Sequence, residues 1–351
     1  MGFEKHVENL PYAHGGFVGV GTLREQTDYF QVDEQLTFEP SGSGEHVFLY
    51  IEKRGLNTDD IVKMLSIHAG VPRRSISYAG MKDRHAVTKQ WFSVQLPGKE
   101  GPDWHQLEND SIKVGRVTRH LKKLKRGVIK FNAFDIVVSQ LNFNKELMLK
   151  RVEAIKQFGV PNYFMEQRFG YLCQNLDRVH ALFLKNETIK NKKMKGLFLS
   201  SARAFLFNRV LAKRVTDENW DKAMAGDAFI LDGTRQYFSE DVLSAEITER
   251  LLEHDIHPTG PLVGINNNAV SGKVSELENN ISLENNVFYD GLIKEKVEAA
   301  RRPLRVVPED FELDILSDDK LRLSFRLGSG SYATAVIREL INTNMTLHKA
   351  S

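Results

Sequence analysis

A single carboxylate among basic residues is the first feature of the sequence that could do chemistry. The segment 77–91, SYAGMKDRHAVTKQW, places Asp83 between Lys82 and Arg84, with His85 next along the chain. An ionised aspartate can attack a carbon centre or accept a proton, and nearby cations keep it ionised when burial would raise its pKa. Aspartates in such tripeptides usually lie in exposed turns, however, so these residues alone leave both interpretations open.

A long basic tract lies further along the chain. Residues 113–130, KVGRVTRHLKKLKRGVIK, contain eight lysines and arginines and no acidic residue, although the net charge of the whole chain is only +2. Clustered cations bind the phosphates of nucleic acids, whereas many charge runs are simply solvated faces. Two further basic groups, at 190–195 and 301–305, favour the first interpretation. It predicts RNA contacts from Arg119, Lys122, Lys123, Lys125 and Arg126.

An amide lies between two aromatic residues directly after this tract, in the segment FNAF at 131–134. Phe134 is more typical of a core than of a stacking surface. Asn132 is harder to place in a core, because its amide must find hydrogen-bond partners there.

A glycine-rich turn near the end, LGSGSYATAVIREL, matches the dinucleotide-binding fingerprint GxGxxA in its local context. The match fails beyond the turn, because only eighteen residues follow Ala333 and no second strand with an acidic residue can be formed. We interpret the segment as a turn that lets the backbone approach an anion, with Tyr332 at its mouth.

The composition limits the class of protein. Cys173 is the only cysteine among 351 residues, which excludes an internal disulfide and the zinc sites built from cysteine pairs. The N-terminal segment has no apolar stretch of signal-peptide length, and no run of about 20 apolar residues occurs. We therefore expect a cytoplasmic protein without a membrane segment.

The order of elements predicts an α+β protein. Strands are expected in DYFQVDEQLTF, EHVFLYIEKRG, QWFSVQLP and NAFDIVVSQL, with a helix through Ile61, Val62, Leu65 and Ile67. A helix at 144–158 should turn Leu147 inward. Residues 170–300 are expected to be mostly helical, with SSARAFLFNRVLAKRV capped at Ser200 or Ser201. The strand DKLRLSFRLGSG and the helix ATAVIRELINT end the chain. Strand-rich ends around a helical middle suggest a discontinuous domain with an insertion.

Several segments together resemble the TruD-type tRNA pseudouridine synthases. They are AGMKDRHAVTKQWF, GVIKFNAF, GVPNYFMEQRFG, LFLSSARAFLFN, KVEAARRP and GSYATAVIREL, and they occur in the family's order over nearly the whole chain. The resemblance implies a pseudouridine-synthase core of mixed, mainly antiparallel sheet with flanking helices, plus an inserted, mostly helical α+β domain specific to TruD. The expected boundaries are 1–158 and 307–351 for the catalytic domain and 159–306 for the insertion.

The resemblance also implies a reaction, the isomerisation of uridine to pseudouridine at position 13 of tRNA, without a cofactor or metal. Asp83 is then the catalytic carboxylate, and Arg24 stands where the family has a lysine beside it. Phe30, Asn132 and Tyr332 occupy substrate-contacting positions. Phe134 is expected to form a second wall, and Lys82 and Arg84 to contact RNA.

Alternatives remain at this stage. The chain could be an RNA-binding protein that kept the fold without catalysis, or a synthase acting on other RNAs. A zinc-dependent base deaminase is excluded by the cysteine content. We expect tRNA as the partner, no obligate protein partner, and a monomer.

Overall fold

The computed structural model describes residues 2–187, 191–266 and 269–345. Lys190, in the second basic group, lies outside these residues. The strands in chain order are β1 (Gly19–Leu23), β2 (Phe30–Leu36), β3 (His46–Arg54), β4 (Ile76–Tyr78), β5 (Val87–Gln95), β6 (Ile112–His120), β7 (Ile129–Phe143), β8 (Val160–Pro161), β9 (Asp227–Leu231), β10 (Tyr237–Glu240), β11 (Ile256–Leu262), β12 (Ala300–Pro303), β13 (Arg305–Val306), β14 (Glu309–Ser317), β15 (Lys320–Gly328) and β16 (Ile341–Met345).

The helices are α1 (Thr58–His68), α2 (Lys145–Phe158), α3 (Glu166–Phe169), α4 (Gln174–Leu184), α5 (Lys192–Thr216), α6 (Ala245–Leu252), α7 (Gly272–Glu284), α8 (Asn286–Lys294) and α9 (Ala333–Arg338). In the part of the chain that the structure describes, no helix is long and apolar enough to span a bilayer.

The chain packs into two compact units. Among the described residues, the sheet unit consists of those in 19–148, 308–330 and 341–345, and the helical unit of those in 2–18, 149–307 and 331–340. The sequence had assigned 1–18 and 331–340 to the catalytic part, whereas here they pack with 149–307. Glu339 links these segments, because its backbone carbonyl accepts a hydrogen bond from Nη1 of Arg151 at 2.6 Å and its buried carboxylate accepts from the backbone N–H groups of Ala13 and His14.

One large sheet forms the sheet unit, with the strand order β14-β15-β7-β2-β5-β3-β6. The strand β1 pairs with β7 and β16, and β4 pairs with β5. The β2–β5 and β1–β16 pairs are parallel and the others antiparallel. The expected class, α+β with a mixed and mainly antiparallel sheet, is therefore confirmed.

The helix α1 covers one face of this sheet. Its buried residues Ile61, Val62 and Leu65 recur at helical spacing and pack against Leu49 and Phe92 of β3 and β5. A capping contact begins the helix, because the Asp60 carboxylate accepts a hydrogen bond from the backbone N–H of Asn57 at 2.8 Å.

The helical unit combines helices α4, α5, α7 and α8 with the small sheet β10-β9-β11-β12 and the two-stranded β13-β8 pair. Its core centres on α5, whose Phe205 and Phe207 are almost fully buried. The predicted cap at Ser200 or Ser201 is wrong, because α5 begins at Lys192. Ser201 is buried within the helix, and its Oγ lies 3.0 Å from the carbonyl oxygens of both Leu197 and Arg168, so its single proton is shared between these two acceptors.

Candidate active site

Asp83 lies in the loop between β4 and β5, with its side chain 32% exposed. The side-chain Oδ1 accepts a hydrogen bond from the backbone N–H of His85 at 3.1 Å. The backbone carbonyl accepts one from Nζ of Lys53 at 3.0 Å. The carboxylate is thus fixed by its own loop while it stays accessible to a substrate.

Arg24, directly after β1, supplies the cation beside this carboxylate. Its Nη2 lies 2.8 Å from Oδ2 of Asp83, and its side chain is 15% exposed. The guanidinium carbon also lies 4.2 Å from the centre of the Phe30 ring. Arg24 has a φ of +60°, a left-handed conformation that few residues other than glycine adopt. The predicted pairing of Arg24 with Asp83 is therefore present, and their roles in the reaction remain predictions.

Lys53 is a site residue that the sequence reasoning missed. It is fully buried, and its Nζ donates to the carbonyls of Leu56 and Asp83, at 2.6 and 3.0 Å. Burial lowers the pKa of Lys53 to about 8, and the nearby charge of Asp83 opposes this shift. The sequence could have predicted this burial, since Lys53 continues the alternation of Leu49 and Ile51 on the buried face of β3.

A buried polar cluster lies next to Asp83. Nζ of Lys82 is 2.7 Å from Oδ1 of Asn132 and 2.7 Å from Oε2 of Glu34. The contact with Glu34 is a close ion pair rather than a well-aligned hydrogen bond. The side chains of Lys82 and Glu34 are 8% and 0% exposed. This burial does not fit the RNA contact predicted for Lys82, because its charge is already paired inside the protein. Glu34 was not singled out from the sequence.

Two aromatic rings line the same face of the sheet as Asn132. Val32 of β2 pairs with Phe134 of β7 and Glu34 pairs with Asn132, and directly paired residues share a face. Phe30, two positions before Val32, is almost completely buried, with its ring 6.4 Å from that of Phe134. Phe134 is half-buried and stacks on Phe325 at 5.4 Å. Phe30 thus forms a packed wall, whereas Phe134 retains an accessible surface.

Tyr332 belongs to the helical unit, whereas the other predicted catalytic and substrate-binding residues belong to the sheet unit. It directly precedes α9 and is partly buried. Its hydroxyl accepts a hydrogen bond from Nε of Arg168 at 3.1 Å, and its ring centre lies 6.0 Å from that of Phe164. The tyrosine is therefore held in one orientation by a polar and an aromatic neighbour.

The basic tract forms β6 and the loop before β7. Its central cations are exposed, namely Lys122, Lys123, Lys125 and Arg126. Leu124 anchors the loop, since it is buried and its N–H donates to Oγ of Ser93. Arg119 differs, because its guanidinium donates to three backbone carbonyls, those of Gly44, Lys99 and Glu100. Arg84, also predicted to contact RNA, is exposed.

The third basic group of the sequence does not form a charged surface. Arg301 is buried in an ion pair with Glu278, and Arg305 is buried with its Nε donating to Nδ1 of His257. Arg302 packs over the Phe164 ring at 4.0 Å. The phosphate-binding role that the sequence favoured for the basic group at 301–305 is therefore wrong for Arg301 and Arg305, whose guanidinium groups are bonded inside the protein.

Among the described residues, no three histidine, cysteine, aspartate or glutamate side chains are placed so as to hold a metal ion.

Comparison with known proteins identifies the family. The sequence model of tRNA pseudouridine synthase D (TruD) matches residues 11–191 and 186–340. The tRNA pseudouridine synthase D of Methylococcus capsulatus is 42% identical over 334 residues, 95% of this chain and 94% of that protein. The enzyme of the same name from Pseudomonas syringae pv. syringae is 40% identical over 332 residues, with 95% and 94% coverage.

A solved structure has the same fold. The crystal structure of the putative tRNA pseudouridine synthase D from Methanosarcina mazei superposes with a TM-score of 0.72, at 23% identity, over 96% of this chain and 97% of that one. The sequence match over nearly the full length, together with this shared fold, shows that the chain belongs to the tRNA pseudouridine synthase D (TruD) family.

Proposed function

We propose that this protein isomerises a uridine of tRNA to pseudouridine, at position 13 as the family resemblance implies, with Asp83 as the catalytic carboxylate. The observation that carries the proposal is the ion pair of 2.8 Å between Asp83 and Arg24 beside the Phe30 ring. Family membership supports the reaction class, and the relatives are named as tRNA pseudouridine synthases.

The reaction breaks the N1–C1′ bond, turns the uracil and joins C5 to C1′. No group enters and nothing is oxidised, so a correctly placed carboxylate is the main chemical requirement. Asp83 can meet it in three ways: by attack on C1′, by attack on the base, or by removal of the C2′ proton. Each needs an ionised carboxylate. Arg24 supports that state, because a guanidinium does not lose its charge in proteins.

The other residues serve recognition in this proposal. A target uridine inside folded RNA must be extruded to reach a carboxylate on the protein. Phe134 offers a π-surface for the base, with Phe30 as the packed wall behind it, and Asn132 offers an amide for the uracil edge. We also propose Tyr332 as a stacking residue, as the family resemblance implies. Arg84 and the exposed cations of the tract offer phosphate contacts. We assign the chemistry to the sheet unit, which contains Asp83, Arg24 and Asn132.

The cellular setting follows from the same proposal. We propose a monomer in the cytoplasm that acts on tRNA without a membrane or an obligate protein partner. Multi-angle light scattering on the purified protein with and without tRNA tests the monomer, and a dimer that persists at submicromolar concentration would contradict it.

The activity is tested by tritium release from tRNA labelled at C5 of uridine, because rejoining through C5 liberates that hydrogen. Wild-type protein should release tritium and Asp83→Asn should not, while tRNA binding stays nearly unchanged. Turnover by Asp83→Asn within about tenfold of wild type would exclude Asp83 as the catalytic group. Absence of release by the wild type from any tRNA or other RNA would favour the alternative, an RNA-binding protein without catalysis.

A further inference from the structure

We propose that Lys82 and Glu34 are positioning residues that fix the amide of Asn132 with its N–H groups toward the base, so that the site selects uracil over cytosine. The inference rests on the proposed contact between Asn132 and the reacting base. It adds two residues and a source of base specificity to that contact.

The orientation of the amide follows from the chemistry of lysine. An ammonium group has three donors and no acceptor, so only the amide oxygen of Asn132 can face it. The distance of 2.7 Å between Nζ of Lys82 and Oδ1 of Asn132 shows this bond. A reversed amide would place two donors against each other. Nδ2 therefore points away from Lys82.

Glu34 holds the lysine in this place. The two groups are 2.7 Å apart, and Glu34 is fully buried at the position directly opposite Asn132 in the β2–β7 pair. Its Oε1 also accepts from the backbone N–H of Trp91 at 3.3 Å. Removal of one partner from a buried ion pair leaves an uncompensated charge, so Lys82 cannot readily leave.

The backbone of Lys82 is fixed as well. Its N–H donates to Oγ1 of Thr58 at 3.0 Å, and that hydroxyl donates to Oε1 of Gln90 at 3.0 Å. Nε2 of Gln90 in turn donates to the carbonyl of Gly80 at 3.1 Å. This chain of hydrogen bonds closes on the loop that carries Asp83. The amide of Asn132 and the proposed catalytic carboxylate are therefore positioned by one network.

The outward N–H groups are free to bind a ligand. Within the described residues, the side chain of Asn132 makes no hydrogen bond besides the one from Lys82, and the residue is partly exposed. Uracil presents a carbonyl acceptor at C4, where cytosine carries an amino donor. A fixed donor facing C4 favours uracil, because cytosine would leave two donors opposed and unsatisfied.

The test measures base preference in binding rather than activity alone. An Asp83→Asn background prevents turnover, and the dissociation constant is measured for two tRNA transcripts with uridine or cytidine at the target position. The Asp83→Asn protein should bind the uridine transcript about tenfold more tightly than the cytidine transcript. This is the expected effect when uridine gains one hydrogen bond and cytidine leaves one donor unsatisfied. Lys82→Gln should reduce this preference to about twofold or less, since glutamine can donate or accept and lets the amide reverse. Lys82→Arg, which can only donate, should retain it.

A second variant serves as the control for misfolding. Glu34→Gln/Lys82→Gln removes both charges of the pair, so no buried charge is left alone, and it should lose the preference as Lys82→Gln does. A purely structural role would lower the melting temperature or weaken both transcripts equally. Retention of the full uridine preference in the folded double variant overturns the proposal.

Asn132→Asp separates this inference from the function on which it rests. With one carboxylate oxygen held by Lys82, the other oxygen faces the base as an acceptor, so the preference should shift toward cytidine. If this variant leaves the ratio unchanged, Asn132 does not contact the base and both proposals for it are wrong. If it shifts the ratio while Lys82→Gln does not, only the positioning role of Lys82 and Glu34 is wrong.

Discussion

Replacement of Arg24 by methionine tests how far the proposed catalytic carboxylate depends on its partner. Methionine keeps an unbranched side chain about as long as the Cβ–Nε part of arginine, and it removes the guanidinium whose Nη2 lies 2.8 Å from Oδ2 of Asp83. Both residues would occupy the left-handed conformation with φ of +60°, so the backbone strain is similar before and after the change. The comparison therefore isolates the ion pair and the contact with the Phe30 ring.

The expected loss of rate for Arg24→Met follows from how far the ion pair is buried. A fully exposed ion pair contributes about 0–1 kcal/mol, whereas a hydrogen bond to a charged group with limited solvent access contributes ~1.5–3 kcal/mol. The exposures of 15% for Arg24 and 32% for Asp83 place this pair between the two cases. A loss of ~1–3 kcal/mol in the transition state lowers the rate constant roughly 5- to 150-fold. Arg24→Lys keeps the charge and should lose less.

The assay is single-turnover tritium release with enzyme in excess over labelled tRNA, which separates the chemical step from product release. Lys213→Met is a matched control, because it removes the exposed ion pair between Lys213 on α5 and Asp217, which directly follows that helix. Its rate constant should stay within about twofold of wild type. A rate constant for Arg24→Met within about threefold of wild type, at saturating enzyme, would refute the view that Arg24 supports Asp83.

Three further predictions concern RNA binding, stacking and pH. Neutralising the three exposed lysines Lys122, Lys123 and Lys125 should weaken binding to any tRNA. The slope of log affinity against log salt concentration should become shallower by ~0.7–0.9 per lost phosphate contact. Unchanged affinity and slope would mean that these lysines form only a solvated face. Tyr332→Phe should keep most activity, whereas Tyr332→Ala should lower the rate roughly 5- to 150-fold by loss of ~1–3 kcal/mol of stacking. A lower melting temperature with full specific activity for the alanine variant would instead indicate a packing role. Burial lowers the pKa of His6 from 6.5 to about 3, so its neutral form contributes stability above pH 6.5 that is lost as pH falls toward 3. Wild type should lose up to ~1.4 kcal/mol per pH unit in that range and His6→Gln less, as measured by urea denaturation, and equal losses in both would contradict this.

The periodicity of the sequence identified elements but not always the face that they bury. The helix α1 was expected from its apolar spacing, and Ile61 and Leu65 are indeed buried, yet Ile67 is 72% exposed. In α2, Leu147 was expected to point inward and is 50% exposed. Helical spacing shows which residues lie on the same side of a helix. It does not show where the buried face ends, because the neighbouring elements decide which residues at its edges are covered.

The end of the chain shows the effect of long-range pairing. Residues 333–343 were expected to form one helix, whereas α9 ends at Arg338 and the segment Ile341–Met345 forms β16, paired in parallel with β1. Parallel pairing with a strand more than 300 residues earlier leaves no local pattern in the sequence, because its partner is remote.

The sequence by itself determined the family and the fold class, and it named the residues around which the candidate site is proposed. Its motifs identified Asp83, Arg24 and Asn132, and the structure brings the first two into contact at 2.8 Å. Only the tertiary structure decided which charges are available to a substrate. Lys82 and Arg301 are basic in sequence, but each is paired with a buried glutamate. The sequence shows which side chains carry a charge that could bind a substrate. Burial and the partner across the fold decide what it does, because an ion removed from water must be neutralised by groups that the local sequence does not contain.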